Sequence, residues 1–158
     1  MRYLGMILIF FAAYGISRAV SQSYRRRLAE GEGFHALLLF MKGELSRYAR
    51  PVNEWCRLFS DEALEQNGFL PNLRAHGDLA AAYKEATLSL GEEEKKILAP
   101  LFSSFGRAYR EEELEALASA ESALAGLLAT RAEELSRTER AVKTVTAAAA
   151  LTLVLLLL

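Results

Sequence analysis

The chain is poor in the residues that most often carry chemistry. It has one cysteine, Cys56, two histidines, His35 and His76, three prolines and one tryptophan in 158 residues. A single thiol excludes an intrachain disulfide framework and suits a reducing compartment. The histidines are isolated and no second cysteine is present, so no metal-ligand spacing exists. A glycine-rich phosphate loop, a dinucleotide fingerprint and a serine elbow are all missing. Cys56 with either histidine would make a nucleophile and base in principle, but its apolar helical context reads as an inert buried thiol. An excess of either charge is missing too, with Lys+Arg 19 against Asp+Glu 20. Nothing global therefore points to nucleic acid or an acidic ligand. The expectation is a non-enzyme with no cofactor, no metal, no nucleic acid and no small-molecule substrate.

What is present is apolar and helical. Hydrophobic residues make up 52% of the chain, and a composition of mainly Ala, Leu, Glu and Arg with so few prolines leans to all-α. In 110–138 the apolar residues Leu114, Leu117, Ala118, Leu124, Ala125, Leu128, Ala132 and Leu135 recur three or four apart and fall on one helical face. Glu111, Glu112 and Glu113 stand where a helix dipole favours carboxylates. From Thr144 the chain is uncharged to its last residue, about 15 residues or roughly 22 Å of helix. This run shows no polar face, so it reads as a membrane segment rather than a core helix. With Ala141 and Val142 added, and with Lys143 and Arg140 snorkelling, it approaches the roughly 30 Å of a hydrocarbon core.

A second uncharged run, Tyr3 to Ser17, is as long as the first. It fits a signal peptide or an anchor. Its positive charge is light before the run, at Arg2, and heavy after it, which favours the anchor. Arg18, Arg25, Arg26 and Arg27 follow this run, and Arg131, Arg137, Arg140 and Lys143 precede the C-terminal one. Both ends are basic on the side of the middle domain, so the positive-inside rule puts Ser21 to Arg140 in the cytoplasm. The expected domains are an N-terminal transmembrane helix over 1–20, a cytoplasmic helical domain over 21–140 and a C-terminal transmembrane helix over 141–158. The juxtamembrane arginines suit anionic lipid better than nucleic acid.

The middle reads as a compact helical bundle of five to seven helices with no strand candidate. Gly31-Glu-Gly33 is a hinge or a weak point in a longer helix. Leu37, Leu38, Phe40, Met41, Leu45 and Tyr48 have helical spacing up to Pro51, after which Val52, Trp55, Leu58 and Phe59 continue an apolar face. That face is expected to pack against Leu98, Leu101 and Phe102. Gln66 to Asn72 carries the strongest loop signal, Asp78 is a candidate N-cap for Leu79 to Leu88, and a kink is expected at Pro100. The acidic clusters Glu92 to Glu94 and Glu111 to Glu113 read as helix starts, because consecutive helical residues point in different directions and cannot share a substrate. The aromatic residues sit among leucines and read as core.

Several segments, taken in order, resemble the stage III sporulation protein AB family. They are Leu4-Gly5 with Ala12, Gly15, Ala19, Ser23 and Leu28; Leu38 to Leu45 with Tyr48, Pro51 and Val52; Ala82 to Ala86; and Phe105 to Leu114, where Tyr109 replaces the family's acid and Glu113 its Gln. The resemblance implies a head similar to the cytoplasmic domains of type II secretion inner-membrane platform proteins. It implies a two-pass component of the mother-cell membrane facing the forespore. Its partners would be a secretion-type ATPase resembling stage III sporulation protein AA and other stage III sporulation membrane proteins. The turn with Arg107, Arg110, Glu111, Glu112 and Glu113 is the candidate docking site. The competing reading is a membrane-anchored helical scaffold of another envelope or cell-division complex, self-associating through 110–138.

The basic flanks generate a topology prediction. With Cys56 removed, a cysteine placed at Ser60 or Asn72 should be shielded from an impermeant thiol reagent in intact cells. Labelling without membrane disruption would reverse the orientation.

Overall fold

The computed structural model describes the backbone of residues 2–48 and 50–157, and the side chains of 15, 18, 21–48, 50–142, 144, 145, 148, 149 and 152. Its elements are α1 (Arg2–Arg47), α2 (Val52–Trp55), α3 (Glu62–Gln66), α4 (Phe69–His76), α5 (Leu79–Glu85), α6 (Glu92–Ser104) and α7 (Arg110–Leu157). Among the described residues there is no strand. The chain divides into two compact units, one of Arg26–Ala129 and one of Met1–Arg25 with Thr130–Leu158.

The larger unit is organised by α1 and by four short helices joined through tight turns. On α1, Phe34, Leu37, Leu38 and Met41 share one face and are buried, as a helical period of about 3.6 demands. The ring of Phe34 meets Phe69 of α4 at 5.0 Å between centroids, Tyr83 of α5 at 5.9 Å and Phe102 of α6 at 5.9 Å. On α7, Leu117, Ala120, Leu124 and Leu128 are buried in the same core. Asp78 caps α5, accepting from the N–H of Ala80 at 2.8 Å and of Ala81 at 3.3 Å, and Asp61 does the same for α3 through Leu64 N–H at 3.0 Å.

Gly31 and Gly33 do not interrupt α1. A Cβ at Gly31 would stand 2.4 Å from Leu128 Cδ2, and one at Gly33 would stand 2.5 Å from Asp61 Oδ1. The glycines are the places where α7 and the start of α3 come against the backbone of α1. The expected loop at 66–72 contracts to Asn67 and Gly68, the latter in the left-handed region at φ 87°. Helix α4 starts at Phe69 and holds Pro71 in its first turn, where a missing N–H has no helical partner to lose.

The apolar face expected beyond Pro51 is cut short. Because α2 lasts four residues, the chain turns before the face is complete. Trp55 is buried against Phe40 at 6.0 Å, Phe59 also meets Phe40 at 5.3 Å, and Leu58 is left 60% exposed.

A buried carboxylate fixes the segment between α5 and α6. Glu30, on α1, accepts from Ser89 N–H at 2.7 Å through Oε2, and Arg27 Nε donates to Ser89 O at 2.9 Å. The backbone N–H and C=O of one residue, Ser89, are both held from a single face of α1.

In the smaller unit, Arg25 pairs with Glu139, and Ser21 Oγ lies 3.5 Å from the same carboxylate. The middle of α1 is thereby joined to α7 at Glu139. The backbone is helical through both apolar runs, but most of their side chains lie outside the described residues, so the transmembrane helices expected over 1–20 and 141–158 fall largely outside them. Among the described residues, no helix is long and apolar enough to cross a membrane.

Trp55, 2% exposed, supplies the test of this packing. Truncation of Trp55 to Ala should cost the full chain about 3–5 kcal/mol in denaturant unfolding. A loss below about 0.5 kcal/mol would place the indole on the surface.

Candidate docking site

The candidate turn begins where α6 ends. Gly106 takes φ 84°, a left-handed conformation that glycine adopts without the steric cost of a Cβ. Arg107 N–H then returns to Ser104 O at 3.2 Å, and α7 starts at Arg110. Glu113, one turn into α7, reaches back so that its Oε1 accepts from Gly106 N–H at 2.6 Å. It is 9% exposed. Of the three glutamates read as a surface acidic run, this one closes the turn from inside, while Glu111 and Glu112 remain exposed.

Arg110 is exposed, yet its guanidinium donates to the carbonyl of Ser46 in the last turn of α1. The last four carbonyls of a helix have no intrahelical donor, and a cation there also meets the negative end of the dipole. The turn is therefore attached to the C-terminal end of α1, which brings residues 64 positions apart together. Beside that attachment stand Tyr48, 58% exposed, and Tyr109, 83% exposed. Arg50 lies over the Tyr48 ring at 4.5 Å and 3.7 Å from Glu44. Arg47 and Arg107 are exposed. Sequence reasoning singled out the turn and missed the α1 end. No local pattern links Ser46 to Arg110, and Tyr48 reads as one more member of an apolar face.

The juxtamembrane basic residues divide between the two units. Arg18 and Arg140 are exposed, and the side chain of Lys143 lies outside the described residues. Arg25 is held by Glu139, and Arg137 pairs with Glu133 at 2.6 Å on its own helix. In the larger unit Arg26 approaches Glu30 at 3.6 Å, while Arg27 holds the Ser89 carbonyl.

The remaining reactive groups are engaged elsewhere. Cys56 is buried, and its carbonyl accepts from Arg74. His35 lies 3.3 Å from Glu121, and His76 lies 3.4 Å from Glu85. Burial pushes the Tyr83 phenol up to about 12, with the charges of Glu92 and Glu94 adding to the shift. A phenol held neutral among Phe34 and Phe102 is part of the core. Among the described residues, no group of His, Cys, Asp or Glu is placed to hold a metal ion.

Glu113 gives this site its own test. Glu113→Ala strands the Gly106 N–H and should cost about 1–3 kcal/mol in denaturant unfolding, whereas Glu111→Ala should change stability by less than about 0.5 kcal/mol. Equal effects of the two would return Glu113 to the surface.

A family model described as stage III sporulation protein AB matches residues 2–158. No curated protein and no solved structure matches the chain.

Proposed function

The chain belongs to the stage III sporulation protein AB family, and on that premise we propose that it is a non-catalytic adaptor of the sporulation complex between mother cell and forespore. The observation that carries the reading is the extent of the family match, which takes in both apolar ends as well as the helical middle. In this reading the chain sits in the mother-cell membrane facing the forespore, crosses it twice through 1–20 and 141–158, and keeps 21–140 in the cytoplasm. The head couples a secretion-type ATPase resembling stage III sporulation protein AA to the other stage III sporulation membrane proteins.

The turn around Arg107, Arg110, Glu111 and Glu112 supports a docking role physically. It is tied down by Glu113 and by the Ser46 carbonyl, so little conformational entropy is lost when a partner covers it. The charges of Arg107, Glu111 and Glu112 face water, where they contribute little to folding and can select a partner. The competing scaffold reading needs the apolar stripe of 110–138 for self-association. Leu117, Leu124 and Leu128 of that stripe are buried in the chain's own core, so that reading would rest on the rest of the stripe, where Leu114, Ala118, Ala125 and Leu135 are half-buried and Ala132 is exposed.

Co-purification of the full chain with the ATPase tests the proposal. Arg107→Glu with Arg110→Glu should weaken binding by about tenfold at low salt, where screening is least. Circular dichroism should be recorded alongside, because Arg110 also holds the end of α1. Failure of the unaltered chain to bind the ATPase would overturn the adaptor reading.

A further inference from the structure

The docking reading leaves open what chemistry the surface accepts, and the inference here rests on that reading. We infer that the end of the larger unit formed by the last turn of α1 and the start of α7 binds a carboxylate-rich segment of a partner protein. Arg47 and Arg107 are the cations that receive it, and Tyr48 and Tyr109 are its flat contact surfaces.

Four arginines gather at this end, and their present partners divide them into two kinds. Arg110 is committed to the Ser46 carbonyl. Arg50 is committed to Glu44 and to the face of Tyr48. The side chains of Arg47 and Arg107 are exposed and make no hydrogen bond or ion pair among the described residues. The guanidinium is a planar fork suited to carboxylates, and here the unused forks stand beside two that are already fixed.

The acids nearby do not cancel this surface. The carboxylate of Glu113 is turned inward to Gly106. At about 100° per residue along α7, Glu111 and Glu112 fall away from the face that carries the buried Leu117 and Leu124. Arg110, about 20° from Leu117 on the same count, lies on that face and reaches α1. Glu44, in the last turn of α1, is engaged by Arg50. An approaching anion therefore meets cations on the α1 side of the turn.

The two tyrosines supply what charge alone lacks. They are the most exposed aromatic side chains among the described residues. Tyr and Arg together are the residues most enriched where protein interfaces concentrate their binding energy. Both tyrosines lie within two residues of the Arg110–Ser46 hydrogen bond, so a fixed backbone presents them. A segment bearing carboxylates between aliphatic side chains fits both features. A basic segment would meet like charge at the α1 end.

Fluorescence anisotropy on the full chain in neutral-lipid nanodiscs tests the inference. The probes are a labelled short peptide of Glu and Leu and its Lys and Leu counterpart. The unaltered chain should prefer the acidic peptide by about tenfold or more, with affinity falling as salt rises. Arg47→Glu with Arg107→Glu should abolish that preference or reverse it. Tyr48→Ser with Tyr109→Ser should weaken binding several-fold while leaving the salt dependence in place. Arg137→Glu, in the other unit, should change nothing. The inference is overturned if the unaltered chain shows no preference for the acidic peptide, or if the Arg47 and Arg107 reversal leaves acidic binding intact. The two readings separate cleanly. Acidic preference without ATPase binding removes the ATPase and keeps the surface, whereas ATPase binding that survives the Arg47 and Arg107 reversal keeps the adaptor and removes the surface.

Discussion

Phe34 sits where α4, α5 and α6 converge on α1. Its ring is fully buried and makes edge or tilted contacts with Phe69, Tyr83 and Phe102, each adding about 0.5–1.5 kcal/mol beyond the area it buries. Helices as short as α3, α4 and α5 do not persist in water by propensity alone, since nucleation costs more than one or two turns return. Their order derives from this shared cluster and from the caps at Asp61 and Asp78. The larger unit is thus a set of brief helical turns gathered onto one face of a long helix.

Three of the buried polar residues of this unit, Glu30, Asn67 and Glu113, work on the backbone. Glu30 and Arg27 grip the backbone N–H and C=O of Ser89, Glu113 closes the Gly106 turn, and Asn67 accepts from Phe69 N–H at 2.9 Å. Each satisfies a group that would be costly to bury alone.

How much of this was legible depended on range along the chain. Asp78 was readable because an N-cap acts over two or three residues, and the helical spacing of Leu37, Leu38 and Met41 declared their face directly. Gly31 and Gly33 carried two readings, since a glycine that loosens a helix and one that admits a neighbour look the same until the neighbour is known. Leu58 was placed in the core because periodicity cannot report that α2 stops after a single turn. The role of Glu113 as a clasp was hidden by its two acidic neighbours, which share its residue type and differ only in direction. The bond from Arg110 to Ser46 had no signature, because it depends on where two distant helices end.

The approach of Leu128 to Gly31 has a consequence for how the chain can vary. A methyl at position 31 and the Cδ2 methyl of Leu128 would claim the same space, so the two positions share one volume. An alanine at 31 gains helix propensity of about 1 kcal/mol over glycine and asks only that a flexible leucine yield. Position 33 has no such exchange, because the atom in the way is the oxygen that caps α3. Drift at 31 can be absorbed by a smaller residue at 128, so the two should vary as a pair, while glycine at 33 is held by a neighbour that cannot shrink without undoing a helix.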